Sequence, residues 1–243
     1  MRKNLSSFTL QALKDRQLVR KGSDGSSFLH RNVSSGYRAL DKRLDGGWPA
    51  YGVVELAPEN LGIGELRLLQ PVLSRLAVLR PLQAWVSVPA CLMPAYLTAA
   101  SRDRGLIISP PDRKHTCWVV EQLLLSACCS MIVCWIDEIS PAQAKRLQVA
   151  AKESQTLMFL IRPSIALGQS LPISMRVQLE THDSGLKISV LKRQNAWPLE
   201  PFTLDLSERW PQLFKRDKPD VRALCPDNVV AFPAAATAHR SKV

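Results

Sequence analysis

The sequence predicts an α/β fold with a mostly parallel central sheet covered by helices on both faces, followed by antiparallel hairpin strands towards the C-terminus. Three observations predict it. Short runs beginning at Val53 (VVEL), Gln83 (QAWVSV), Gly105 (GLIIS), Ser130 (SMIVCWI) and Thr156 (TLMFLI) are almost wholly apolar, as strands buried on both faces are. Segments of helical period separate them, and that alternation implies parallel strands joined by crossover helices. Beyond these, SMRVQLE and LKISVL alternate in polarity and flank His182-Asp183-Ser184-Gly185, so they must pair as an antiparallel hairpin.

Composition sets the bounds. A chain of 243 residues with 46% hydrophobic content suits one α/β domain with extensions. No apolar run approaches the roughly 18 residues that span a bilayer, and the basic N-terminus has no signal-peptide core. A cytoplasmic protein is expected, with no membrane partner. The six cysteines form no C-x-x-C pair and have no histidine at zinc-ligand spacing. They read as buried, reduced thiols, and no metal or cofactor is expected. The net charge of +11 suits an acidic partner, nucleic acid first, or simply a basic soluble surface.

Residues 1–31 form a basic arm, with Phe8 to Val19 as a short amphipathic helix and GSDGSS as a linker. The arm could dock on a partner or on DNA, or remain a solvated terminus. Tyr37 to Leu44 reads as a short helix with Ala39, Leu40 and Leu44 inward, closed by Asp45-Gly46-Gly47. The organising stretch is Tyr51 to Leu69. A strand through Val53, Val54 and Leu56 is broken by Pro58, Asn60, Gly62 and Gly64, and a helix follows with Leu66, Leu69, Leu73 and Leu76 inward. Strand, glycine-containing loop and helix are the setting of a phosphate-binding loop. Against G-x-x-x-x-G-K-[ST], however, Ile63 replaces the lysine and Gly64 the hydroxyl residue. Neither can meet a phosphate or Mg²⁺. Glu65 belongs in the helix's first turn, where its charge suits the dipole and would repel a phosphate.

Further along, Ala95 to Ser101 and Thr116 to Cys128 read as helices, the latter with Val119, Val120, Leu123 and Leu124 for burial. Ser140 caps a helix begun by Pro141, with Ala144, Leu147 and Ala151 inward. Phe202 to Leu206 is a last strand, and residues 207–243 are an extended basic tail rich in proline. Trp48, Trp85, Trp118 and Trp135 belong to the core or its border. Trp197, Trp210 and Phe214 face a partner or pack locally. No internal repeat, G-x-S-x-G or H-E-x-x-H motif occurs.

Ser34-Ser35-Gly36, Leu40-Asp41, Gly46-Gly47, Pro49, Gly52 and the strand ending Ala57-Pro58-Glu59 resemble the approach to the phosphate loop of RecA recombinases. This resemblance runs to about Leu206 and implies a RecA-like three-layer fold over residues 32–206. GWP, GIGELRLLQPVLSRL and RLQVAAKESQTLMFLIRP are more narrowly similar to the ImuA family, and SulA division inhibitors share the middle of the pattern. Where RecA reads GPESSGKT the chain reads APENLGIG. Pro89 stands at the position of the RecA glutamate that activates water, and Trp135 at that of its metal-associated aspartate, with Asp137 two residues on. Of the two lysines that RecA carries across its subunit interface, Lys192 is kept and the other is Gln194. No route to phosphoryl transfer is left. Pro58, Glu59, Asn60, Gly62, Ile63 and Gly64 then form a degenerate, structural phosphate loop.

The ImuA resemblance implies a non-catalytic accessory protein of damage-induced, error-prone translesion DNA synthesis, nucleoid-associated when DNA is damaged. Its implied partners are RecA and ImuB, an inactive Y-family-like polymerase. Through that assembly they extend to an error-prone polymerase and the sliding clamp. The alternative is a SulA-like inhibitor that binds the tubulin-like division protein. The RecA loops that line DNA are short here, as DEISPAQ and PSIALGQSLPIS. Arg162, Arg176, Lys187, Lys192 and Arg193 are left as candidate contacts to non-specific DNA or a partner. Trp210, Leu213, Phe214 and Phe232 are candidate tail anchors.

Overall fold

A computed structural model describes residues 32–77, 82–89, 105–163, 168, 170–194 and 196–211. The arm, the Ala95 to Ser101 helix, and the anchors Leu213, Phe214 and Phe232 lie outside these residues.

The chain runs β1 (Asn32–Val33), α1 (Arg38–Arg43), β2 (Trp48–Pro49), β3 (Gly52–Pro58), α2 (Glu65–Leu76), β4 (Leu82–Val86) and β5 (Gly105–Ile108). It continues through α3 (Arg113–Leu125), β6 (Cys129–Trp135), α4 (Pro141–Glu153), β7 (Leu157–Ile161), β8 (Met175–His182), β9 (Gly185–Arg193) and β10 (Phe202–Asp205). Eight strands form one sheet in the order β10-β9-β8-β3-β7-β6-β4-β5. Pairing is parallel from β8 through β3, β7, β6 and β4 to β5, while β8 and β9 are antiparallel. The fold is the expected α/β class, a mostly parallel sheet with antiparallel hairpin strands after it. β3 sits between β7 and β8, so the loop that follows it leaves from the middle of the sheet.

One face of the sheet offers Val53, Ala84, Val86, Ile132, Cys134, Met158 and Leu160 to Val120 and Leu124 of α3 and to Ala144, Leu147 and Ala151 of α4. On the other face Trp48 meets Phe159 edge-on with centroids 5.3 Å apart. There the Gln83 amide donates to the Leu73 carbonyl of α2 at 2.7 Å. The α4 start is fixed as its sequence predicts, with Ser140 and Gln143 forming a reciprocal capping box. Helix α3 starts three residues before the expected Thr116, because Asp112 caps it by accepting from the His115 amide.

The Ser34-Ser35-Gly36/Asp41 motif has a physical basis. Asp41 accepts from the Ser35 amide at 2.7 Å and from the Ser34 and Ser35 hydroxyls, each at 2.6 Å. Tyr37 then donates to the Arg67 carbonyl at 2.8 Å, tying this turn to α2. The β1–β2 ribbon was not predicted. It pairs Asn32 with Pro49 and Val33 with Trp48, and Gly47 permits it: a Cβ there would lie 2.2 Å from the Val33 carbonyl oxygen. Two-residue strands leave too little alternation to read.

Four expectations are corrected. Ala39 is exposed, because α1 is short and buries only Leu40. Trp118 is 59% exposed, because Thr116, Val120 and Leu124 form the inward stripe of α3 and Trp118 falls outside it. β5 is the sheet edge, leaving Leu106 and Ile107 exposed. Cys129 and Cys134 are buried thiols as expected, but Cys128 is exposed.

By chain contacts Met1–Leu204 and Asp205–Val243 are two compact units. In the second, Ser207 donates its amide to the Asp205 side chain at 2.7 Å, and Trp210 donates its amide to the Leu206 carbonyl at 2.9 Å.

Candidate functional site

The loop after β3 joins a strand to the start of helix α2, the frame in which a phosphate cradle is expected. Pro58 ends the strand, and the Glu59 amide donates to the Leu179 carbonyl of β8 at 2.9 Å. Gly62 and Gly64 take φ values of 86° and 127°, which a side chain would resist. The amides of such a loop, at a helix N-terminus, point towards an anion.

Here the anion is the chain's own. The Gly62 amide donates to one Glu65 carboxylate oxygen at 2.8 Å, and the Gly64 amide donates to the other at 3.1 Å. Glu65 is only 1% exposed. Its carboxylate therefore uses both oxygens on the donors that a phosphate would need. Ile63, half-buried, supplies no cation. Trp135, at the position where the RecA resemblance implies a metal-associated aspartate, instead stacks on Trp85 with centroids 6.2 Å apart. Their two indole N–H groups, with that of Trp48, are buried without a partner. Pro89 is half-buried and offers no base, Asn60 is exposed, and Asp137 is exposed. The exposed Glu59 carboxylate accepts from the amide of Thr181 at 2.8 Å and also from its hydroxyl. Those two bonds, the hydroxyl first, hold its carboxyl below the usual range.

Beside the loop lies a charged cluster that sequence reasoning missed. Glu55, fully buried in β3, accepts from Arg162 at 2.8 Å on one oxygen and from Arg176 at 2.6 Å on the other. This overturns the placing of Arg162 and Arg176 as surface contacts. They follow β7 and lie on β8, the two strands flanking β3, and both are buried. A signal was present: Glu55 interrupts an apolar strand, and a buried charge must be paired. Arg162 also donates to the Asp137 carbonyl at 3.4 Å.

The other basic candidates do not converge. Lys187 pairs with Glu180 at 2.6 Å, and Lys192 donates to the Leu171 carbonyl at 2.6 Å. Arg193 reaches Asp45 at 3.0 Å. Among the described residues no group of three or more His, Cys, Asp or Glu could hold a metal ion, and no helix is long and apolar enough to cross a membrane.

No protein-family model matches the chain, and no curated protein matches it. Among solved structures it is similar to SulA from Pseudomonas aeruginosa, at 25% identity over 45% of this chain and 97% of that one, with a TM-score of 0.39. A superposition that loose carries neither fold nor function across. The fold assignment rests on this chain's own strand order.

Proposed function

We propose that this chain is a non-catalytic binding protein on a RecA-like scaffold, of a damage-response type. One observation carries the reading: Glu65 fills the phosphate cradle that it caps. A nucleotide would have to displace a buried carboxylate, and would then meet Ile63 and Trp135 instead of a cation and a metal ligand. The protein then acts through its surface.

Two partner classes suit such a protein. The ImuA resemblance points to RecA and an ImuB-like polymerase homologue in translesion synthesis. The SulA resemblance of the sequence points to the tubulin-like division protein.

The mechanism is tested by thermal unfolding and hydrolysis with ATP and Mg²⁺. No nucleotide-dependent stabilisation and no hydrolysis above background are expected, with or without single-stranded DNA. Turnover that survives purification, or tight nucleotide binding, overturns it. Expression in undamaged cells then separates the partners. Filamentation supports the division inhibitor, whereas normal division with recovery of RecA and the polymerase homologue from damaged cells supports the accessory role.

A further inference from the structure

We propose that Cys128 and Cys129 form a thiol modification site, at which a hydroperoxide oxidises Cys128 and Cys129 then closes a disulfide. The two sulfurs are already in contact, with Sγ atoms 3.7 Å apart. Adjacency in sequence does not bring this about, since neighbouring side chains of an extended strand point to opposite faces. The turn between α3 and β6 does. Ala127 holds a left-handed φ of 50°, and its amide donates to the Leu124 carbonyl at 3.0 Å. Cys128 therefore precedes the strand, and only Cys129 enters its pleat. The Ser126 hydroxyl fixes the first sulfur. It donates to the Leu123 carbonyl at 2.8 Å and lies 3.0 Å from Cys128 Sγ. Having given its one proton to Leu123, it accepts from the Cys128 thiol.

The two thiols differ in access, and that divides their roles. Cys128 is exposed and meets the oxidant. Cys129 is fully buried at the start of β6, away from the oxidant but touching the sulfur that meets it. The Cys128 thiolate attacks one peroxide oxygen, the O–O bond breaks, and the other oxygen leaves as an alcohol with the thiol's proton. Cys128 is then a sulfenic acid. The Cys129 sulfur attacks the Cys128 sulfur, the S–O bond breaks, and the hydroxyl leaves as water with the Cys129 proton. Two thiols lose two electrons in all, and the hydroperoxide gains them. Adjacent Cα atoms lie about 3.8 Å apart across a trans peptide, short of the roughly 4.4 Å at which ordinary disulfides begin. The product is therefore strained and readily reduced, as a reversible modification requires. Closure also acts on the fold. Cys129 belongs to the core under α3 and α4, and its carbonyl accepts from the Thr156 hydroxyl at 3.4 Å. The inference does not depend on the partner readings above or on the occupied cradle.

The test uses the full chain, reduced and then given a small excess of tert-butyl hydroperoxide. Free thiols are alkylated in denaturant, and the tryptic peptide 115–145 is sequenced by mass spectrometry. The peptide should lose two hydrogens, with Cys128 and Cys129 unalkylated and Cys117 and Cys134 alkylated. Dithiothreitol should restore both thiols, which it cannot do for a sulfinic acid. Cys129→Ser should stop at the sulfenic acid, trapped on Cys128 by dimedone, a species that the parent does not accumulate. Cys128→Ser, a change at the surface, should leave Cys129 reduced under the same treatment, and it keeps the test decisive if Cys129→Ser does not fold. The proposal is overturned if both thiols of the treated parent stay alkylated. It is equally overturned if the parent's Cys128 is trapped by dimedone or bonded to a second chain, or if Cys128→Ser still loses the Cys129 thiol.

Discussion

Glu55 and Glu65 lie ten positions apart on either side of the loop, both are buried, and both use both carboxylate oxygens. Their partners differ in kind. Glu55 meets two guanidinium groups, one from each neighbouring strand. Glu65 meets two backbone amides at the start of its own helix, with no cation in contact among the described residues. The first is a long-range clamp that fixes β7, β3 and β8 together. The second is a local closure that fixes one loop. Buried charge near a would-be active site need not be catalytic: here one carboxylate holds the sheet and the other takes the ligand's place.

The largest effect should come from breaking the clamp on one side. Glu55→Ala strands two buried guanidinium groups and should cost roughly 3–5 kcal/mol, read by urea unfolding. Replacing all three residues together, with Met at 55 and Leu at 162 and 176, removes every charge. Its loss should be far smaller than that of the single variant. If the triple variant is as damaged as Glu55→Ala, the cluster is more than a paired charge and the comparison fails.

Glu65 should matter less to folding. Glu65→Gln offers one amide oxygen to two donors and turns its NH₂ towards the other N–H, at a cost of about 1–3 kcal/mol. Glu65→Ala empties the cradle. Added inorganic phosphate should then stabilise this variant and leave the parent unaffected, while ATP hydrolysis stays at background because Ile63 and Trp135 remain. Equal stabilisation of both proteins by phosphate would mean that Glu65 does not occupy the anion's place.

How legible this was depends on the length over which each feature acts. The buried strands β3, β6 and β7 and the helices α2 and α4 are plain from apolar runs, period and the Ser140 cap, all local in sequence. The failed lysine position at Ile63 is equally plain, since a motif is a local pattern. The Glu55 clamp joins positions more than a hundred residues apart, and only the charge inside VVEL hinted at it. The outward turn of Trp118 was lost because tryptophan's apolar character outweighed its place on the helical wheel. The Glu65 contact lay between the two. Its first-turn position was readable, but the return of its side chain onto Gly62 and Gly64 depends on a loop conformation that no periodicity encodes.

The smallest effect belongs to a third carboxylate that performs the Glu65 task in water. Asp112 accepts from the His115 amide at 2.9 Å and contacts the His115 ring, at the exposed start of α3. Those bonds, the backbone one first, hold its carboxyl below the usual value. A carboxyl lowered on folding adds stability that is present above its unfolded value, near pH 4, and is lost as pH falls through the lowered folded value. Asp112→Asn keeps an oxygen for the His115 amide but has no proton to gain. It should therefore lack the charge's contribution at neutral pH and be less stable than the parent there, and the gap between the two should close as pH falls below about 4. Thermal unfolding of the two proteins from pH 3 to 7 decides it. If both lose stability in parallel, Asp112 contributes only as an oxygen acceptor. The charge on a capping carboxylate would then matter only where water is excluded, as it is at Glu65.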